Sequence, residues 1–244
     1  MSDSPDKPLA SDQDTSSPRW AVPTGLVIAV FVASLVFAGN YIRYSLHGNF
    51  DIIYLIFSLF FTVNLLICYW EICLFIHRDS LATRTHYWRE RTSRSKRDPP
   101  VEFLVMKVPL RRIVSTTLWA DVWAAYSCYD DSYAEQKTFG FSADVANGFT
   151  TLIPTAALYV LYTVELLPAV VVGIVGTMIF WQWFYVTSVY WMSFFFVGRH
   201  SRLSKRELFL YVFALNKFWV ACALLGLYVS IRLILDGNYS VLGY

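Results

Sequence analysis

Three polar side chains that could transfer a proton or form hydrogen bonds stand inside runs of apolar residues. Glu71 lies in the run YWEICLF, and Asn216 and Lys217 are neighbours in LNKFW. An ionisable group in hydrocarbon costs about 2.5–3.5 kcal/mol on insertion scales, so its presence there requires a reason. A carboxyl in such surroundings favours its neutral form and can donate a proton near neutral pH. Glu71 is therefore the first candidate for a catalytic acid.

Two further amide side chains lie in apolar runs. Asn147 lies near the start of one run, and Gln182 lies in FWQWFY, near the middle of another. Together with Asn216 they could point from several helices into one chamber and bind a substrate there. The alternative is that Lys217 pairs with Glu71 and that the amides only join helices through hydrogen bonds. Lys217 could also extend its charged end to the membrane surface.

Aromatic residues recur at helical spacing in residues 119–133, which read WADVWAAYSCYDDSY. Positions i, i+4, i+7, i+11 and i+14 of this run share one helix face, and they hold Trp119, Trp123, Tyr126, Asp130 and Tyr133. We expect a helix through Tyr133 that turns this stripe toward the protein interior. Its rings and the Asp130 carboxyl would then lie on one side of the helix, inside the bundle. A helix lying under the lipid headgroups is an alternative explanation of the same spacing.

These residues belong to a chain with the composition of a membrane protein. Of its 244 residues, 56% are hydrophobic and 16% are charged, whereas a soluble domain carries about 25% charged residues. Five apolar runs are long enough, at about 1.5 Å per residue, to cross a hydrocarbon core of about 30 Å. They cover about residues 21–41, 52–76, 144–164, 169–197 and 208–235. The sequence predicts an all-α integral membrane bundle of about five transmembrane helices in one domain, residues 21–244, after a disordered polar tail, residues 1–20.

The distribution of charge, cysteine and histidine argues against several other classes of protein. The formal net charge is +2 without a continuous basic field, so nucleic-acid binding has no support. The four cysteines form no CxxC pair and the four histidines are scattered, so we predict neither a metal site nor another cofactor. The expected partners are the lipid bilayer and a hydrophobic small-molecule ligand, and the question of a homo-oligomer stays open.

Three short motifs in this chain point to one family. The first is a run W-x-x-Y-x-x-x-D-x-x-Y ahead of a span, formed by Trp123, Tyr126, Asp130 and Tyr133. The second is N-x-x-W in the last span, formed by Asn216 and Trp219, and the third is Glu71 in the span before the first motif. With the order and spacing of the spans over about residues 50–235, they resemble the emopamil-binding-protein superfamily. Its EXPERA-like members include sterol isomerases and sigma-2-receptor-like proteins.

The resemblance implies a membrane-embedded isomerase that acts on a lipophilic alkene, sterol-like or isoprenoid-like, by proton transfer from Glu71. Aromatic rings would stabilise the carbocation, and Asp130 would orient or move the proton as a second catalytic residue. The residues expected to bind the substrate are Trp123, Tyr126, Tyr133, Asn147, Gln182, Asn216 and Trp219. Ile67 stands where the isomerases carry a histidine, and Asp144 lies near but not at the position of their second acid. A membrane-bound terpene cyclase is one alternative, and a non-catalytic lipid-binding or partner-binding membrane protein is another.

Two basic loops predict the orientation in the membrane. One follows the second span at about residues 77–100, and the other follows the fourth span at about residues 199–206. The positive-inside rule places both loops, and with them the N-terminus, on the cytoplasmic side. Cysteines introduced at Ser93 and Ser201 should therefore react with a membrane-impermeant thiol reagent only from the cytoplasmic face. Labelling of either position from the outside of intact cells would contradict this topology.

Overall fold

The computed structural model describes residues 20–243 and is largely helical over that range. In chain order the first helices are α1 (Thr24–His47), α2 (Ile52–Ile76), α3 (Leu81–Ser95), α4 (Pro99–Val105) and α5 (Thr116–Tyr126). They are followed by α6 (Phe139–Val164), α7 (Ala169–Phe196) and α8 (Lys205–Asp236). Two short strands, β1 (Ala21–Pro23) and β2 (Lys107–Pro109), pair in antiparallel fashion. The predicted disordered tail, residues 1–20, lies outside the described residues except for Trp20.

Five of these helices are long and apolar enough to cross a membrane, namely α1, α2, α6, α7 and α8. The prediction of an all-α bundle of five transmembrane helices is confirmed, and the chain is a multi-pass integral membrane protein. Half of the apolar stretch of α2 is buried inside the bundle, against 6% for α1. Helix α2 is therefore the central span, and α1 lies at the periphery, where most of its side chains face lipid.

The ends of the spans follow local capping signals. Helix α2 has the predicted bounds, and the Asp51 side chain caps its first turn by accepting a hydrogen bond from the Tyr54 backbone N–H. Helix α6 begins at Phe139, earlier than predicted, because the Thr138 hydroxyl accepts a hydrogen bond from the Phe141 backbone N–H. Between α6 and α7, Glu165 adopts a left-handed conformation that ends α6 and starts the predicted tight turn.

Residues 77–138 form a cap over one end of the bundle. Part of this segment was predicted as a basic loop, yet it contains α3, which buries Leu81, Thr85 and Trp88 at positions i, i+4 and i+7. The ring of Trp88 lies 5.9 Å from that of Phe103 in α4, and Phe103 in turn packs against α5. The sequence did not indicate α3, because arginines occupy its exposed face and leave only a narrow apolar stripe.

Ion pairs hold the cap together and join it to the loop after α7. Within the cap, the Arg84 guanidinium binds the Asp121 carboxylate in bidentate fashion. Arg202 pairs with Asp131, and the Arg206 Nη2 atom lies 3.3 Å from Asp98 Oδ2. Both basic loops therefore lie at the same end of the bundle, as the predicted orientation requires. That this end is cytoplasmic remains a prediction.

A buried arginine closes the opposite end of the bundle. Arg43 in α1 is 1% exposed, and its Nη1 atom donates hydrogen bonds to the Tyr162 carbonyl at 2.7 Å and to Glu165 Oε1 at 3.1 Å. Its Nη2 atom donates to the Leu242 carbonyl at 2.8 Å. A buried guanidinium needs such partners to offset the loss of water. Arg43 thereby ties the peripheral α1 to α6 and to the C-terminal segment.

Helices α7 and α8 pack closely because glycines remove side chains from their interface. A Cβ atom at Gly226 in α8 would lie 2.2 Å from the ring of Phe180 in α7, and Phe180 itself is fully buried. A Cβ atom at Gly176 would lie 2.4 Å from the Ser230 hydroxyl oxygen. This small-residue interface is the usual way for transmembrane helices to approach each other in lipid.

We predict that Gly226→Ala lowers the free energy of unfolding by about 1–3 kcal/mol, because the added methyl group overpacks a ring with no room to move. Ala221→Val adds volume at an exposed position of the same helix and serves as the matched control. Thermal unfolding in detergent measures both. Equal melting temperatures for Gly226→Ala and wild type would show that this interface is looser than the contact implies.

Candidate functional site

An apolar cavity of about 360 Å³ lies between the bundle and the cap. Its volume falls within the range of about 300–1,000 Å³ that is usual for small-molecule sites. All spans contribute to its wall, together with α4 and α5. The polar or aromatic residues that line it are Trp70, Glu71, Phe103, Trp123, Tyr126, Tyr133, Asp144, Asn147, Trp183, Thr187, Tyr190, Asn216 and Trp219. Thus seven of the nine site residues nominated from the sequence border one cavity.

Glu71 reaches the cavity from the central helix α2 and is held by α6. The Asn147 amide nitrogen donates a hydrogen bond of 2.8 Å to Glu71 Oε2. The Thr151 hydroxyl lies 3.0 Å from the Asn147 side-chain oxygen and 3.2 Å from the Cys68 sulfur, so it orients the amide toward the acid. Gly148 allows this approach, because a Cβ atom there would lie 2.8 Å from the Cβ atom of Glu71.

A second carboxyl faces the same cavity. Asp144 lies on α6 one turn before Asn147 and lines the cavity together with Glu71. The sequence presented Asp144 only as a residue near the position of the isomerases' second acid. The signal that could have identified it is the i, i+3 spacing to Asn147, which places both side chains on one face of α6.

Three rings from the cap form one wall of the cavity. The ring of Tyr133 lies 4.8 Å from that of Trp123 and 5.4 Å from that of Tyr126. Burial, followed by the negative charge of Asp144, raises the pKa of Tyr133 well above its usual value. Tyr133 is therefore a neutral phenol at physiological pH, and its hydroxyl can donate a hydrogen bond to Asp144.

The opposite wall comes from α8, whose start is locally π-helical at Leu208–Ala214. The Tyr126 hydroxyl donates to the Tyr211 carbonyl at 2.9 Å, and the Asn216 amide donates to the Val212 carbonyl at 2.8 Å. A π-helical turn widens the helix, and such turns occur frequently at functional sites. Here the turn presents carbonyl groups that anchor two of the residues lining the cavity.

Trp219 is held in the cavity wall by a residue that the sequence analysis did not single out. Its indole N–H donates to the side-chain oxygen of Asn64 in α2 at 3.1 Å, and the Asn64 amide donates to the Phe60 carbonyl at 3.1 Å. Asn64 is fully buried in the most apolar helix of the bundle. It thereby links the last span to the central one beside the cavity.

Asp130 does not line the cavity but lies directly behind its wall. The predicted helix through Tyr133 ends at Tyr126, because the Ser127 hydroxyl bonds to the Trp123 carbonyl and Asp130 caps the turn that follows. Asp130 is fully buried, accepts a hydrogen bond of 2.9 Å from the Tyr190 hydroxyl, and lies 3.4 Å from Arg199 Nη1.

Gln182 and Lys217 also lie away from the cavity. Gln182 is half-buried on α7, beside the cavity-lining Trp183 but not itself in the wall. Lys217 is exposed on the outer face of α8, and within residues 20–243 its ammonium forms no ion pair. The alternative of a Glu71–Lys217 pair is therefore wrong, since Asn147 is the hydrogen-bond partner of Glu71.

Comparisons of this chain with protein-family models, with curated proteins and with solved structures found no match. Within the described residues, no group of three or more His, Cys, Asp or Glu side chains is placed to hold a metal ion. The four cysteines are unpaired thiols. What the cavity can do chemically thus depends on its carboxyls, amides and aromatic rings.

We predict that Asp130→Asn is strongly destabilising. It leaves Arg199, which is 9% exposed, with only the partly exposed Asp131 carboxylate 3.8 Å away, and breaking a buried ion pair costs about 3–5 kcal/mol. The control Asp131→Asn removes the neighbouring carboxylate, which is partly exposed, and should cost about 0–1 kcal/mol. Thermal unfolding in detergent compares the two variants. If both melt like wild type, the pair does not support the fold.

Proposed function

We propose that this chain is a membrane-embedded isomerase that moves a double bond within a lipophilic alkene of sterol-like or isoprenoid-like structure. The observation that carries the proposal is the convergence of Glu71 and Asp144 on one mostly apolar cavity. Apolar walls suit an apolar ligand, and two carboxyls on different helices suit the donation and removal of a proton at different carbon atoms. The kinship with the emopamil-binding-protein superfamily is part of the same proposal.

Each of the two carboxyls carries out one proton transfer: Glu71 donates a proton and Asp144 removes one. The Glu71 O–H bond breaks and its proton adds to one alkene carbon, while the π electrons form the new C–H bond and leave a cation on the neighbouring carbon. The Asp144 carboxylate then removes a proton from the carbon on the other side of the cation, and the electrons of that C–H bond form the new double bond. A pair of carboxyls that shares one proton is favoured in an apolar site, where two adjacent negative charges repel.

The aromatic wall supports the cationic intermediate. Trp123, Tyr126 and Trp219 present rings to the cavity, and a cation over an aromatic face gains about 0.5–2 kcal/mol. The cavity walls also contain few polar atoms that could bind water, which would otherwise capture the cation. Asn216 is placed to position the ligand, because its amide nitrogen is already bound to a backbone carbonyl and its oxygen remains available.

After each turnover Asp144 must release the proton that it has taken and Glu71 must take up another one, by exchange with the protein surface. Tyr133 and Tyr190 face the cavity, and Tyr190 donates to Asp130 at the protein's polar end. Asp130 contacts Arg199, which also lies 3.8 Å from the partly exposed Asp131. This line of hydrogen-bonding groups connects the cavity with the basic-loop surface. Asp130 would act in it as a positioning residue for Tyr190, whereas the sequence had led us to expect a second catalytic residue at this position.

A non-catalytic lipid-binding protein is the second candidate. Ile67 lines the cavity one turn from Glu71, so the side chain beside the acid is apolar and cannot exchange a proton with it. A protein that only binds a lipophile would also have an apolar cavity with a few hydrogen-bonding groups. Native mass spectrometry of the purified chain with its co-purifying lipids identifies the ligand in either case.

We predict that Glu71→Gln abolishes turnover of a lipophilic alkene but leaves ligand binding and folding nearly intact. The amide keeps the shape of the carboxyl and can still bond to Asn147, and the acidic proton is lost. Folding should be retained because Lys217 is not its partner. Product formation is followed by mass spectrometry, binding by ligand-induced thermal stabilisation, and folding by the melting temperature.

Asp236→Asn is the matched control for that experiment, since it neutralises a carboxyl on α8 that pairs with Arg232 far from the cavity. It should leave turnover unchanged. A Glu71→Gln protein with wild-type turnover would refute the catalytic role. A Glu71→Gln protein that melts far below both wild type and the control would assign Glu71 a structural role instead.

A further inference from the structure

The side chains that line the cavity are buried on the side of the cap and partly exposed on the side of the lipid. Toward the cap, the lining side chains Phe103, Trp123 and Tyr133 are all buried. Toward lipid, the lining residues Leu104 on α4 and Leu215 on α8 are 42% and 49% exposed. Side chains that border a cavity and are also exposed outside it mark its mouth.

The packing of the spans leaves a gap at this place. Helix α1 packs against α2, α4 and α6, whereas α8 packs against α7 and α2. Among the described residues, α1 and α8 share no extended interface. The space between them is bordered by α4, and Ile28 of α1, Leu104 of α4 and Leu215 of α8 line the same cavity.

The mouth lies part-way along the two spans that border it. Ile28 lies one turn from the start of α1, or about 6 Å along the axis, and Leu215 lies about 15 Å from the start of α8. The start of α1 is fixed to α4, because the Thr24 backbone N–H donates to the Met106 carbonyl at 3.0 Å and its hydroxyl bonds to the Phe103 carbonyl. The mouth therefore lies within the length of these two spans rather than beyond their ends.

We propose that the ligand enters sideways from the bilayer, through a portal formed by Ile28, Leu104 and Leu215, and that it is a lipid-dissolved molecule rather than a water-soluble one. This inference rests on the proposed function, since it describes how the ligand of that same cavity arrives. The buried ring wall under the cap excludes entry from the aqueous face. The three portal residues are apolar, which suits passage of a hydrocarbon skeleton from a hydrocarbon solvent.

The test uses the full chain in liposomes that contain a photoreactive sterol analogue as the probe. Leu104→Trp and Leu215→Trp narrow the portal from two different helices. Val101→Trp is the matched control, because Val101 is 43% exposed on α4 but does not line the cavity. We expect each portal variant to slow labelling of cavity peptides severalfold and the control to label at the wild-type rate. Leu104→Phe and Leu215→Phe replace any tryptophan variant whose melting temperature shows that it does not fold.

The outcomes of this experiment test the lateral entry route separately from the proposed isomerase function. Portal variants that label as fast as wild type would overturn the lateral route, and so would a Val101→Trp control that slows labelling as much as they do. If the probe labels wild type outside the cavity only, the proposed ligand class is wrong, and the portal inference is overturned with it. Cavity labelling in wild type that Glu71→Gln preserves and the portal variants slow would support both.

Discussion

Hydrocarbon offers no hydrogen-bond partner, and the contact between α2 and α6 satisfies that constraint around Glu71. Gly148 lets the two helices approach closely, Asn147 donates to the carboxyl, and Thr151 orients the amide. The acid is thus held by a neutral amide rather than by a cation. A bound cation would favour the carboxylate form of Glu71, whereas a neutral amide does not, so the proton transfer proposed for Glu71 depends on this contact.

The cap supplies the other half of the cavity, and charge holds it in place. Arg202 and Arg206, in the loop after α7 and at the start of α8, bind carboxylates of the cap, while Asp130 of the cap contacts Arg199. These pairs keep the aromatic wall over the bundle and close the cavity on its polar side. A closed polar side and an exposed apolar edge are the features that the proposed lateral entry of the ligand requires.

Much of this could be predicted from local patterns. Hydropathy over windows of about 20 residues identified the five spans, because a helix must be apolar along its whole length to cross lipid. Helical spacing likewise grouped Trp123, Tyr126 and Tyr133, although the helix ends at Tyr126 and a turn carries the last ring into place. Glu71 was identifiable because a carboxyl is rare in hydrocarbon and its energetic cost does not depend on the fold.

Only the tertiary structure decided which polar groups meet. Asn216 and Lys217 are adjacent in sequence, yet one lines the cavity and the other faces outward, because successive residues are rotated by about 100° and the rotation of α8 depends on its packing against α7. Asp144 joins Glu71 because Gly148 brings α6 against α2. Asp130 lies behind the wall because Arg199, distant in sequence, provides its counter-charge. The sequence alone determined which residues are costly in lipid, and the packing of the helices determined which of them share a site.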